Sequence, residues 1–534
     1  MAFRLSEDGK NTVAVIEYGG GDNSIFVQMP AALSYPMNMK SYNWGYNTNP
    51  EPFLDGRVLN CPRGKVIGGS SSINGMVYVR GNPGDYNYWE ESGATGWGYS
   101  DILPYFKRME QSHGGEEDWR GDNGPLHIKK GEQKNPINKA FLDSVIEAGY
   151  NTTVDYNGFK QEGFGAGDMT VWKGRRWSSA SAYLKPALKN KNLKLFKRAL
   201  VDKIIFSDKT AKGVSFYQGG ELKKIYANKE IICSAGSINT PQIMQRSGIG
   251  PAELLKKHDI EVIKDSPGVG ENLQDHLEVY FQVECKKPIS LYKNLNFVSK
   301  GLIGLQWLLF KNGLGATNHF ETLGFIRSKE NIPYPDIQYH LLPIAINYDG
   351  SSPVKGHGFQ LHVGPMRSKS RGFVRIKSKE ASISPEIQFN YMSHDSDWEE
   401  FRRCIKLSRE ILSQSALSSL AGKEIQPGEE KASDIQIDGF IKEHAESAYH
   451  PCGTMRMGNK NDPNTVIDPE CRVIGVNNLR VADASIFPRI TNGNLNAPSI
   501  MVGEKAADHI LGLNPLPRSN QEPYERSDWQ VKQR

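Results

Sequence analysis

Residues 12–17 run Thr12-Val13-Ala14-Val15-Ile16-Glu17, an unbroken apolar stretch closed by a carboxylate and followed by Gly19-Gly20-Gly21-Asp22. An apolar run without alternation reads as a strand covered on both faces, which means a parallel sheet inside an α/β fold. An acid at the C-terminal end of such a strand can accept the ribose hydroxyls of a dinucleotide, and it should follow a G-x-G-x-x-G loop by about twenty residues. No such loop precedes it, and Phe3-Arg4-Leu5 reads as the end of the helix the loop would open. Met1 is therefore expected to be an internal methionine of a longer natural chain.

Other segments extend this pattern. Lys229 to Gly236 and Asn478 to Asp483 read as two more buried strands, the latter also ending in an acid. From Asn239 to Gly248 the pattern is helical, with Thr240 expected as N-cap, Pro241 at the first helical position and Gly248 as terminator. Between about residues 285 and 400 the texture changes. Phe359-Gln360-Leu361-His362-Val363 and Gly372 to Ile376 alternate apolar with polar, which predicts half-exposed antiparallel strands of a separate sheet. Gly301 to Phe310 is about half the ~20 apolar residues of a membrane span and reads as a core helix. The tail from Pro515 is polar and expected to fray.

The 534 residues suffice for two or three domain-sized units, and a net charge of +5 gives no support to nucleic-acid binding. Six scattered cysteines without a C-x-x-C pair argue against a disulfide framework and for a reducing compartment. Cys452 reads as a small buried apolar residue. No apolar signal-type stretch follows Met1.

Two polar blocks carry the chemistry. Ser447-Ala448-Tyr449-His450-Pro451-Cys452-Gly453-Thr454 offers an imidazole, and Thr491 to Pro498 offers amides and glycine. An imidazole can take a hydroxyl proton and an amide can hold the resulting oxyanion. Taken alone, His450 reads more readily as a structural histidine, one of twelve. None of the twelve shows metal-ligand spacing, so no metal site is expected, and there is no G-x-S-x-G nucleophile elbow. Arg63 to Gly75, containing Gly68, Gly69 and Asn74, and Gly236 to Gly250 are glycine-rich. Such loops cradle phosphates or flavin edges, though each alone is equally a surface turn. Glu321, in Asn318-His319-Phe320-Glu321-Thr322, sits amid apolar neighbours. It needs an internal salt bridge, an exposed edge or a cationic ligand.

Together these blocks, with Gly268-Val269-Gly270-Glu271-Asn272-Leu273-Gln274-Asp275-His276, resemble the glucose-methanol-choline (GMC) flavoprotein oxidoreductases from Phe3 to about Leu511. The resemblance implies an α/β, Rossmann-like FAD-binding domain over residues 1–285 and 465–515, truncated at its start. It further implies an α+β substrate domain with a large antiparallel sheet over 286–464 and a polar tail over 516–534. His450 is similar to the family's catalytic histidine, and Asn494, preferred to Asn496, to its second catalytic residue. Glu17, Gly68, Gly69, Asn74, Val201 and Asp483 fall at FAD-contacting positions. Ile73 stands where some relatives carry a flavin-tethering histidine, so FAD is expected to be non-covalent.

Asn318 to Glu321, Gly324 to Ser328, Ile337 to His340, Ala345-Ile346-Asn347-Tyr348 and His444-Ala445-Glu446 resemble the choline-oxidising branch. There Glu321 would meet the trimethylammonium group and His340 would be a further active-site histidine. The activity implied is oxidation of choline to betaine aldehyde and on to glycine betaine, an osmoprotectant, with hydride passing to flavin N5 and His450 as base. The partners implied are choline and a quinone or respiratory-chain acceptor. The place implied is the cytoplasmic side of the inner membrane, with peripheral association. Two alternatives stay open: a GMC dehydrogenase of another primary alcohol, and a flavin-free binding module.

Overall fold

A computed structural model describes residues 1–347 and 355–534; Tyr348, in one of the strings above, lies outside them. The apolar runs form parallel pairs. Val13–Glu17 pairs with Leu193–Lys197, and Ile231–Cys233 pairs with Leu479–Val481. A three-stranded antiparallel sheet, Ala199–Ser207, Thr210–Gln218 and Glu221–Tyr226, stands beside them. The Val13–Glu17 strand is not covered on both faces as expected. Ala14 is exposed and its neighbours are half-buried, because the strand lines the same large cavity as Ile231–Cys233.

The predicted helix begins earlier than its local signals suggest. It runs Gly236–Arg246, so Thr240 and Pro241 lie inside it and Thr240 is no N-cap. Its first N–H, at Gly236, donates to Asp483 Oδ2 at 2.9 Å, a cap supplied from 247 residues away. Thr240 Oγ1 donates to the same oxygen at 2.6 Å. Pro241 has no N–H for the carbonyl four residues back, and Thr454 Oγ1 takes that Ser237 carbonyl instead at 2.7 Å. Gly248 follows the end of the helix at φ +85°, in the left-handed region that glycine tolerates.

The second layer is a seven-stranded sheet. Its order is Ala421–Gln426, Leu277–Cys285, Gly358–Pro365, Ile337–Leu342, Thr322–Ile326 and Gly163–Ala166, with Glu446–Ser447 also pairing with Leu277–Cys285. Every pairing is antiparallel. The sheet crosses the boundary expected at residue 285, since it takes two strands from before it.

The period-2 alternation sorts its two faces. Val279, Phe281, Val283, Tyr339, Leu341, Leu361 and Val363 pack against the helices Pro136–Glu147, Asp395–Leu412 and Asp434–His444 through Phe141, Phe401, Ile405 and Phe440. The alternate residues Glu278, Tyr280, His340, Leu342, Gln360 and His362 line the cavity. The strand Gly358–Pro365 is therefore buried throughout rather than half-exposed. Its polar face meets an internal cavity, not solvent.

The apolar helix expected in the core is on the surface. It spans Phe297–Phe310, and of its residues only Trp307 is buried. Among the described residues no helix is long and apolar enough to cross a membrane. All six cysteines are free and buried, Cys452 included.

Candidate active site

One cavity of ≈ 2520 Å³ joins both layers. That exceeds the ~300–1,000 Å³ of ordinary small-ligand pockets and leaves room for a dinucleotide together with a substrate. Glu17, Gly68, Gly69, Asn74, Val201 and Asp483 line it, as do His340, His450 and Asn494.

The His450 segment is held by Asp275. That buried carboxylate accepts from His450 N at 2.6 Å, from Ser447 Oγ at 2.5 Å and from Tyr391 Oη at 2.6 Å. Burial raises its pKa, with the Ser447 and Tyr391 hydroxyls pulling the other way. Reciprocal bonds between Gln274 and Cys452 extend the pairing. Ser237 Oγ donates to Pro451 O at 2.7 Å, so the Gly236–Arg246 helix and the histidine loop grip one another in both directions. Tyr449, at φ +64°, makes the bend that turns His450 inward.

The proton positions follow from a chain of three contacts. His276 Nε2 lies 3.0 Å from the Met366 carbonyl, which can only accept, so this nitrogen carries hydrogen. Burial pushes the His276 pKa down to about 4, so the ring is neutral and its Nδ1 is a bare acceptor. His450 Nδ1, 3.1 Å away, must then be the donor. The His450 lone pair is thereby fixed on Nε2, where Asn494 Nδ2 donates at 3.0 Å. Asn494 is itself oriented by Gln338 Nε2, 3.2 Å from its Oδ1, and it also hydrogen-bonds to His340. Burial first, then the neighbouring His276 and His340, holds the His450 pKa well below the ordinary histidine value. His340 is likewise pushed down to about 4 by burial. The result is an uncharged imidazole whose single lone pair shares a point in space with an amide N–H₂.

The Thr322–Ile326, Ile337–Leu342, Gly358–Pro365 and Leu277–Cys285 strands place Leu323, His340, His362 and Tyr280 in one cross-sheet row. Glu278, 6% exposed, stands beside this row with Oε1 3.0 Å from His362 Nδ1. Tyr280, Phe320 and Tyr449 supply aromatic faces to the same cavity. Glu321 is placed differently from its neighbours. Asn318, His319 and Phe320 line the cavity, but Glu321 does not, and its Oε1 accepts from Thr317 Oγ1 at 2.9 Å. The structure thus brings His450, Asn494 and His340 together with Glu278, and leaves the Glu321 carboxylate outside that lining. Sequence reasoning gave no role to His276, Glu278, Tyr280 or His362. His276 stood within a quoted block, whereas Glu278 needs the strand register to be seen.

The other end of the cavity fits a flavin dinucleotide. Glu17 ends a parallel strand, half-buried, and burial raises its pKa to about 7 against the opposing bond from Gly19 N at 2.6 Å. Gly68 and Gly69 both take positive φ, +85° and +55°, which curls the backbone into an N–H-lined turn. A Cβ built on Gly69 or Gly236 meets no protein atom within 4 Å, so both backbones face open cavity. Buried Arg176 donates to Asn74 O at 2.6 Å and to Asn74 Oδ1 at 2.9 Å, fixing which way the Asn74 amide points. Asp483 is occupied with Gly236, Thr240 and Ser485, so its part is to shape the turn.

Comparison with known proteins agrees with this geometry. The family model described as GMC oxidoreductase matches residues 4–278 and, in its C-terminal part, 368–503. Proteins named oxygen-dependent choline dehydrogenase are 61% identical in Brucella anthropi and 58% identical in Rhizobium meliloti, each over 100% of this chain and 97% of the relative. Among solved structures, pyridoxine 4-oxidase from Mesorbium loti superposes with TM-score 0.87 at 28% identity, covering 96% of this chain and 97% of that one. A formate oxidase superposes with TM-score 0.89 at 25% identity, covering 96% and 95%. With an α/β cofactor layer, a large antiparallel substrate sheet and a histidine–asparagine pair where they meet, this chain belongs to the GMC oxidoreductase family.

Proposed function

We propose that this chain is an FAD-dependent choline dehydrogenase that oxidises choline to betaine aldehyde and the hydrated aldehyde on to glycine betaine. The observation that carries the reading is one cavity holding a neutral histidine with its lone pair fixed on Nε2, a buried carboxylate and several aromatic faces. The high identity to proteins of that name supports the substrate. Non-covalently bound FAD supplies the hydride acceptor. Glu17, the Gly68–Gly69 turn, Asn74 and the backbone at Val201 would hold it.

The chain's own residues do the rest. Glu278 attracts the trimethylammonium group, and Tyr280, Phe320 and Tyr449 add cation–π attraction. The resemblance gave this charge role to Glu321; Glu278 lines the cavity and Glu321 does not, which makes Glu278 the better candidate, while Glu321 accepts from Thr317 Oγ1. His450 Nε2 accepts the hydroxyl proton. Asn494 Nδ2, which the structure aims at that nitrogen, donates to the alkoxide oxygen, and His340 keeps the amide in place. Orientation and proton transfer are what such a protein contributes around its cofactor.

For the acceptor we favour a quinone or respiratory-chain carrier, and with it a peripheral position at the cytoplasmic side of the inner membrane. Oxygen is the second reading, because the relatives carry it in their names. Anaerobic addition of choline to the FAD-loaded protein tests the main reading. The flavin absorbance should bleach with choline far faster than with the neutral isostere 3,3-dimethylbutanol. Equal rates, or no bleaching, would refute the choline assignment. Reoxidation by a soluble quinone against reoxidation by dissolved oxygen separates the two acceptors.

A further inference from the structure

The Phe297–Phe310 helix breaks the usual rule for surface helices, which show one apolar stripe and an otherwise polar surface. Phe297 is 91% exposed, Phe310 68%, Val298 67%, Leu309 64% and Leu302 62%, and by the 3.6-residue period Val298, Leu302 and Leu309 fall on one outward face, opposite the buried Trp307. Trp307 is its anchor to the fold, with Nε1 donating to Gly174 O at 2.6 Å. Both ends are well made. Asn296 Oδ1 caps Ser299 N at 2.9 Å, and Lys311 turns the chain at φ +54° and reaches back to the Trp307 carbonyl at 3.0 Å. This is a stable helix presenting a contiguous apolar surface of a kind that marks an interaction site.

Charge identifies what covers it. From residue 286 to residue 320 the chain carries Lys286, Lys287, Lys293, Lys300 and Lys311 and no aspartate or glutamate. A second copy docked through this helix on a two-fold axis would set lysines against lysines with no carboxylate from either segment between them. An apolar helix in a segment whose only charges are lysines is instead matched to an anionic lipid surface, where the apolar side chains enter the acyl boundary and cationic side chains meet phosphates. Position adds a purpose. Leu295, Lys300, Ile303, Gly304 and Leu314 line the same cavity as His450, so the helix borders that cavity.

We propose that the Phe297–Phe310 helix is an in-plane anchor that docks this enzyme on an anionic phospholipid bilayer, with the cavity opening beside the membrane. It deepens the peripheral-membrane reading above and names the surface responsible; the docking itself does not depend on choline being the substrate. A membrane-dissolved acceptor would then be concentrated where the cavity opens.

Flotation of the FAD-loaded protein with vesicles tests this without any turnover. The protein should float with phosphatidylglycerol–phosphatidylcholine vesicles and at least tenfold less with pure phosphatidylcholine, and salt should weaken the binding, as expected where lysines meet an anionic surface. The triple variant Leu302→Gln, Leu309→Gln, Phe310→Gln alters exposed side chains outside the cavity lining. It should lose flotation at least tenfold while keeping its melting temperature and its choline-dependent flavin bleaching in solution. Wild-type protein left unbound by anionic vesicles overturns the proposal, as does a triple variant that floats equally well. A concentration-dependent dimer that the triple variant abolishes would assign the helix to a second copy instead. Bleaching without flotation would sink the anchor and spare the choline reading; flotation without bleaching would do the reverse.

Discussion

Replacing His276 by phenylalanine tests the proton chain directly. In the native site the Met366 carbonyl fixes hydrogen on His276 Nε2, and the bare Nδ1 then fixes hydrogen on His450 Nδ1 at 3.1 Å. Phenylalanine fills the space and removes the acceptor. His450 Nδ1–H is then a buried donor without a partner, which costs about 1–3 kcal/mol. The tautomer with hydrogen on Nε2 becomes competitive, and that tautomer cannot take a proton from an alcohol. If the whole penalty appears in the proton-transfer step, the limiting rate of flavin reduction falls about 5- to 150-fold. His276→Asn is the control. It loses the Met366 contact as phenylalanine does, but its amide oxygen can accept from His450 Nδ1–H. Both variants should remain folded, with phenylalanine the less stable because it leaves the His450 donor unpartnered, and asparagine should recover most of the rate. The assay is anaerobic stopped-flow reduction of the bound flavin by saturating choline, with thermal unfolding as the check on folding. Equal reduction rates in the two variants, or a phenylalanine variant at the wild-type rate, would refute the tautomer argument.

Glu278→Gln should raise the KM for choline tenfold or more while changing that for 3,3-dimethylbutanol little, since two unit charges ~4 Å apart attract by about 4 kcal/mol at an effective dielectric of 20. Glu321→Gln should have a smaller effect, and steady-state kinetics on the two variants would reveal a reversed order. Burial pushes His276, His319 and His340 down to about 4 in the folded state, against an ordinary value of 6.5. Between those values the unfolded chain binds more protons, so folding stability should be full above pH 6.5 and fall as pH drops toward 4. The slope is about 1.4 kcal/mol per pH unit for each histidine. Urea unfolding from pH 7 to pH 4.5 measures it, and a flat profile would show that these rings are not buried uncharged.

Much of the fold could be read from local pattern, and the misreadings share a cause. The strand Val13–Glu17, the strand before Gly236 and the strand before Asp483 follow from apolar runs ended by an acid or glycine. The alternation in Phe359 to Val363 was read correctly as a strand with two unlike faces. What alternation cannot say is whether the polar face meets water or a cavity, and here it meets the cavity. The start of the Gly236–Arg246 helix was hidden because its cap, Asp483, comes from a distant strand. The Phe297–Phe310 helix was read as core because hydrophobicity reports affinity for an apolar phase without saying which one. In the site, His450 and Asn494 stood out in polar blocks, but Glu278 became visible only when the sheet register set Leu277–Cys285 against Gly358–Pro365 and Glu446–Ser447, and His276, though within a quoted block, showed its part only through its ring contacts with Met366 and His450.

Charge ties the substrate to the base. His276, His340 and His450 are all held uncharged by burial, so none of them repels a cation that enters. Moving the hydroxyl proton to His450 Nε2 makes an imidazolium and an alkoxide side by side, which conserves the net charge of the site. With a trimethylammonium group beside Glu278, that pair keeps the same charge balance before and after that step. A neutral alcohol of the same shape gains no attraction from the Glu278 carboxylate and binds more weakly for that reason. The discrimination against neutral alcohols should therefore appear in binding, before any bond is broken, and the intrinsic step at His450 should be nearly indifferent to the substituent. A kcat difference as large as the KM difference would mean that the cation also acts on the alkoxide, and that the two halves of the site are electrostatically coupled across the cavity.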